Sequence, residues 1–297
     1  MSPESEPIYD FIISLHEACG GDWKSLGEKA GVSEADVTAF LQYAAQFLGN
    51  SGNYKSFGDA KFIPRCEEKA FASLAATSES AQRHYSATKG AIFSSDKPSL
   101  MHLGFTDEGH MTTYYPDSPD ITQEEIGAVA SWMQNNGGLL PENTRLRKTK
   151  AGNFELLIAS AKSSIPSEGG DIGKETEYKF EDGPLSGKSL TLVYGDYAAE
   201  MNAIAGFIKK AAENAENETQ QKMHLAYAKS FDEGSLLAFK DSQRFWIKDQ
   251  GPMVECNIGF IETYRDPAGV RGEWEGFAAG ELSNNPLVSS TANMPFS

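Results

Sequence analysis

The run MVECNIGFIE, residues 253–262, sets Glu255 and Asn257 two positions apart. In an extended chain they fall on one face, while Val254, Cys256, Ile258 and Phe260 point to the other. A carboxylate beside a primary amide can hold an ammonium group and a peptide carbonyl, the groups found at the N-terminus of a peptide. The competing reading is the wet face of a half-buried antiparallel strand. Directly downstream, TYRDPAGVRGEWEG crowds charges of both signs between Pro267 and its glycines. Pro267 and Gly269 force a turn after Arg265 and Asp266, so Arg265 and Arg271 have carboxylates within reach, Asp266 and Glu273 among them. A structural ion-pair cluster that fixes the turn is the expected role. Glu273 or Glu275 as a catalytic carboxylate would need one protonated and one ionised partner at a defined gap, and no spacing in the sequence specifies that.

Other chemistries fail on spacing. In GPLSGKS, Gly183 and Gly187 enclose three residues where a phosphate-cradling loop needs four, and in GGDIGKE Glu175 stands where a magnesium-binding hydroxyl belongs. His16-Glu17 begins a zinc-helix pattern but has no histidine four residues later. His102 and His110 could be closed by a hairpin, yet a solvated or core-satisfied role suits each better. No G-x-S-x-G elbow occurs.

The elements that must position these residues are mixed. Ile8, Phe11, Ile12 and Leu15, then Val37, Phe40, Leu41, Ala44 and Leu48, lie at helical spacing, the second set opened by Ser33 and Asp36. Thr122 and Glu125 form a capping box ahead of Ile126, Val129, Ala130 and Met133. FELLIAS (154–160) and SLTLVYGD (189–196) read as strands, the latter placing Leu190, Leu192 and Tyr194 on one face. One long Ala- and Glu-rich helix is expected after Tyr197. Helices, then strands, then a helix, then strands, without regular alternation, point to an α+β fold. The stretch ELSNNPLVSSTANMPFS lacks periodicity and is expected to be disordered.

The 297 residues carry 26 Lys and Arg against 42 Asp and Glu, a net charge of -16, which disfavours binding to nucleic acid. The acidic, polar start MSPESEPIYDF has no signal-peptide pattern, and no apolar run is long enough to cross a membrane. Cys19, Cys66 and Cys256 are odd in number and far apart, as suits reduced thiols in the cytoplasm. The sequon Asn217-Glu218-Thr219 is then expected to stay unmodified.

NSGNYKSFGDAKFIPR (50–65), KSLTLVYGDYAAEM (188–201) and FWIKDQGPMVECNIGFIETYRDPAGVRGEWEGF (245–277) resemble dipeptidyl peptidase III in its fungal form, a family of cytosolic, two-lobed zinc metallopeptidases. These enzymes release dipeptides from the N-terminus of short peptides. The resemblance runs from about Ile8 to Ala279. It implies an α+β lobe of N-terminal helices packed with a β-barrel-like antiparallel sheet over residues 1–279, followed by a non-homologous tail, 280–297. It also implies that Glu255 grips the substrate's free amino group, and that Phe57, with Asn53 and Tyr54 close by, lines the wall around the first residue. Asn257 stands where animal members carry tyrosine. The family's His-Glu-x-x-Gly-His zinc motif and its later glutamate ligand have no counterpart here. Zinc is therefore expected for the full-length family and not for this chain, which should bear a peptide-binding surface without a hydrolytic centre. The alternatives are a non-catalytic peptide-binding or regulatory module and, third, a metal-independent hydrolase using Glu273 or Glu275. The expected partners are short peptides with a free N-terminus, plus self-association through exposed sheet edges.

Overall fold

The structure is a computed structural model that describes residues 4–55, 60–95, 104–110, 112–135, 140–164, 177–260, 263 and 266–280. The chain divides into two compact units. The first comprises Met1–Leu157, Glu177–Leu192 and Glu262–Gly272, the second Ile158–Thr176, Val193–Ile261 and Glu273–Ser297.

In the first unit the apolar spacings noted above become helices α1 (Ser5–Cys19), α2 (Trp23–Ala30) and α3 (Glu34–Asn50), followed by α4 (Glu68–Ala75) and α5 (Glu79–Phe93). Side chains cap them where the sequence offers an oxygen: Ser33 Oγ accepts from the Asp36 amide at 3.1 Å. The buried faces meet in an aromatic cluster, with Phe11 5.3 Å from Tyr85 and Phe71 5.0 Å from both Phe40 and Phe93, ring centre to ring centre. Such rings bury large apolar area, so this cluster stabilises the helical part.

The capping box forms at α6 (Gln123–Asn135): the Glu125 amide donates to Thr122 Oγ1 at 3.2 Å, and the Thr122 amide donates back to Glu125 Oε2 at 3.1 Å. The same carboxylate takes Lys148 at 2.9 Å and Lys188 at 3.0 Å, tying the helix to β1 (Thr144–Lys148) and to the residue that precedes β4 (Ser189–Asp196). With β2 (Phe154–Ala159) and β3 (Glu177–Lys179) these strands make a four-stranded sheet of order β1-β2-β4-β3, in which β3 runs antiparallel to β4. Leu190, Leu192 and Tyr194 are buried on one face of β4, as their alternation requires.

In the second unit the long helix expected after Tyr197 is two, α7 (Ala198–Glu213) and α8 (Glu218–Glu233). Asn217 starts the second: its side chain accepts from the Gln220 amide at 2.9 Å, a local bond that competes with continuing the first helix. A further helix, α9 (Leu236–Trp246), follows Gly234, whose φ of +68° reverses the chain. A β-carbon at Gly234 would lie 2.8 Å from Ile158 Cγ2, so this turn has room only for glycine. Met201, Ala205 and Ile208 of α7 pack against Met223, Tyr227, Ala228 and Phe231 of α8.

The α+β class holds, but the barrel-like sheet does not. Closure needs the first and last strands of a sheet to pair. Among the described residues β1 and β3 end the four-stranded sheet as open edges, and β5 (Val254–Phe260) with β6 (Trp274–Gly280) forms a separate two-stranded sheet. The expected disordered stretch beyond Gly280 lies outside the described residues. No described helix is long and apolar enough to cross a membrane.

Candidate functional site

Strand β5 pairs antiparallel with β6, setting Glu255 opposite Ala279 and Asn257 opposite Phe277. Helix α9 runs along this strand and offers Phe239, Gln243 and Trp246, a stripe at helical spacing. Trp246 Nε1 donates to Glu255 Oε1 at 2.5 Å. Two positions along the strand, Asn257 Nδ2 donates to Gln243 Oε1 at 3.2 Å. Gln243 Nε2 in turn donates to the Tyr227 hydroxyl at 2.8 Å, which also accepts the backbone N–H of Ile258 at 3.1 Å. Gly259, next on the same face, lies beneath Phe239: a β-carbon there would be 3.7 Å from Phe239 Cζ. Glu255 and Asn257 therefore share one neighbour helix, as the extended alternation requires.

Both side chains are half-buried and held without being used up. Glu255 Oε2 takes no hydrogen bond from the described residues, and Asn257 keeps Oδ1 and one amide hydrogen for another partner. Burial pushes the Cys256 thiol up from its ordinary range, with the negative charges of Glu255 and Asp249 adding to the effect. Burial likewise raises the Tyr227 phenol, although the N–H groups that point at its oxygen oppose the shift. Gln243, Trp246 and Tyr227 were not expected from the sequence. Their signal was a helical stripe, Phe239-Gln243-Trp246, with a polar residue where core spacing calls for an apolar one.

Asn53 and Tyr54 belong to the first unit, where they are 0% and 1% exposed. Asn53 Oδ1 accepts the Tyr43 hydroxyl at 2.8 Å and its Nδ2 donates to the Ala91 carbonyl at 3.3 Å. Burial, then the charge of Glu4, raises the Tyr43 and Tyr54 phenols far above their ordinary range, so both stay neutral. Phe57 lies outside the described residues, as does Arg265.

Among the described residues, Asp266 is held by its own turn and a phenol and not by an ion pair. Asp266, 3% exposed, accepts four hydrogen bonds: the Tyr115 hydroxyl at 2.6 Å and the Ala268 amide at 3.0 Å on Oδ1, the Val270 amide at 3.1 Å and the Arg271 amide at 2.8 Å on Oδ2. Its carboxylate is saturated by the turn's own backbone and one phenol. The Arg271 side chain pairs with no carboxylate among the described residues, and its guanidinium lies over the Tyr115 ring at 5.7 Å. Glu273 is half-buried in the second unit. A backbone that curls its amides inward satisfies an anion at short range, leaving none of it for a side-chain cation.

No three His, Cys, Asp or Glu side chains gather to hold a metal ion among the described residues. His84 lies 3.9 Å from Asp10 and His110 lies 3.8 Å from Glu108. These residues do not fit a zinc site.

A family model, peptidase family M49, matches residues 84–286, more than half of the chain. The chain belongs to peptidase family M49. It is 40% identical over 280 residues to dipeptidyl peptidase 3 of Dictyostelium discoideum and 38% identical over 291 residues to that of Homo sapiens. Each match takes in 94% of this chain but 38% of the relative, so the chain spans well under half the length of these M49 proteins. A solved structure of dipeptidyl-peptidase III from Corallococcus sp. strain EGB is 16% identical, with a TM-score of 0.44 covering 93% of this chain and 38% of that one, a likeness too slight to bear on the M49 assignment.

Proposed function

We propose that this chain supplies the part of an M49 dipeptidyl peptidase that grips the N-terminal end of a peptide. The observation that carries the reading is Glu255, anchored through one oxygen by Trp246 and keeping the other open beside Asn257. An ammonium group would donate to Oε2, and the first peptide carbonyl would take the remaining amide hydrogen of Asn257. The bond from Trp246 fixes the carboxylate before the peptide arrives, which lowers the entropy lost on binding. A wall formed by Phe57, Asn53 and Tyr54 rests on family resemblance alone, and the buried side chains of Asn53 and Tyr54 would act there through shape. Hydrolysis would belong to a zinc centre elsewhere in a full-length M49 enzyme. This chain by itself is then a binding surface in a reducing, cytoplasmic setting that suits its three thiols, none of which forms a disulfide.

The test is titration of the chain with a short peptide, free or N-acetylated, followed by NMR shifts of the Glu255 and Asn257 amides. Acetylation and Glu255→Gln should each weaken binding at least about tenfold, since a half-buried charge-assisted hydrogen bond contributes about 1.5–3 kcal/mol. Equal binding of free and acetylated peptide would refute the role of Glu255. Chelator-sensitive dipeptide release by the purified chain would refute its proposed inactivity.

A further inference from the structure

Among the described residues Arg271 is the largest fully buried side chain, at 1% exposed, and its Nε, Nη1 and Nη2 have no hydrogen-bond partner there. A guanidinium cannot escape burial by losing its proton. An unpaired charge of this kind is among the costliest groups a fold can hold. The carboxylate five residues upstream, Asp266, is already filled by Tyr115 and three amides, one of them the backbone N–H of Arg271. The guanidinium carbon lies over the Tyr115 ring, 5.7 Å from its centre. That neighbour supplies no carboxylate, and no acceptor among the described residues meets the N–H groups at hydrogen-bond geometry. What is missing is a planar acceptor with two oxygens side by side, and that is the geometry of a carboxylate.

We propose that Arg271 is the cationic half of a buried carboxylate-binding site, completed by a carboxylate that is not among the described residues. The carboxylate is either a small free acid or an Asp or Glu side chain from further polypeptide. The inference does not rest on the peptide-binding role of Glu255.

The experiment is thermal melting of the whole chain as wild type, Arg271→Met and Arg271→Lys, titrated with acetate against chloride at constant ionic strength. In chloride, Arg271→Met should melt at or above wild type, because it removes an uncompensated charge at similar volume. For a free acid, acetate raises the wild-type midpoint along a saturating curve, leaves Arg271→Met unmoved, and moves Arg271→Lys less, since an ammonium cannot engage both oxygens in plane. For a protein carboxylate, acetate moves none of them, and Arg271→Met instead lowers the midpoint of a protein that carries this segment at the full length of its relatives. An Arg271→Met midpoint below wild type in chloride, equal non-zero acetate shifts in all three, or no acetate shift together with an unlowered Arg271→Met midpoint in the full-length protein would overturn the proposal. Should Arg271→Met fail to fold, an Arg271→Lys acetate response equal to a non-zero wild-type response would overturn it.

Discussion

Replacing Asp266 by asparagine changes one atom, and the cost follows from which donors lose their acceptor. Aspartate accepts two hydrogen bonds on each oxygen, with Tyr115 and Ala268 on Oδ1, Val270 and Arg271 on Oδ2. In either amide orientation asparagine presents an NH2 group to two of these donors. With the Tyr115 side kept, the amides of Val270 and Arg271 are orphaned, the first partly and the second fully buried. At about 1 kcal/mol for the partly buried donor and about 1–3 kcal/mol for the buried one, the variant should lose about 2–4 kcal/mol. Tyr115→Phe removes a single charge-assisted hydrogen bond, keeps the ring over Arg271, and should cost about 1.5–3 kcal/mol. The double variant should fall short of the sum, because the two residues share one bond. Urea melts of the four proteins give the energies, and hydrogen exchange at the Val270 and Arg271 amides gives the local signature, with protection lost in Asp266→Asn and kept in Tyr115→Phe. An Asp266→Asn variant within about 1 kcal/mol of wild type, or one with unchanged protection at both amides, would show that the turn is not held by this carboxylate.

Three further outcomes are expected. Burial pushes the Glu125 carboxyl up, but hydrogen bonds from Lys148, Lys188 and the Thr122 amide outweigh it and hold the group below its ordinary value of 4.5. A lowered folded value means stability that is present above that ordinary value and lost as pH falls through the folded one, so Glu125→Gln should cost about 1–3 kcal/mol at neutral pH and less in acid. A gap between the two urea midpoints that does not narrow with acid would contradict this. Gly234→Ala combines a left-handed backbone at about 1–2 kcal/mol with overpacking against Ile158 at about 1–3 kcal/mol, a total of about 2–5 kcal/mol measurable by denaturant melts. Strand β6 is exposed along nearly its whole length, and Phe277 and Val254 are each 51% exposed on the two-stranded sheet. We expect concentration-dependent self-association on size exclusion, reduced by Phe277→Lys, and a concentration-independent monomer would rule this edge out as its cause.

Much of this protein was legible in its sequence where the determining forces are local. Helix starts at Ser33 and Thr122 followed from oxygens set three residues ahead of an amide, and the faces of β4 and β5 followed from alternation alone. The same locality explains why the long helix is two: Asn217 caps the start of a second helix through its own side chain, a signal present in the sequence but outweighed there by the Ala- and Glu-rich composition around it. Tertiary structure decided what depends on partners distant along the chain. The sequence predicts Asp266 as an ion-pair partner of nearby arginines, yet it is claimed by its own turn and by Tyr115, 151 residues away. Glu255 and Asn257 were visible as a pair on one strand face. That Trp246 and Gln243 hold them, and that Arg271 is buried with no hydrogen-bond partner among the described residues, could be seen only once the helices and turns had closed around them, because burial and hydrogen-bond geometry are properties of the packed chain.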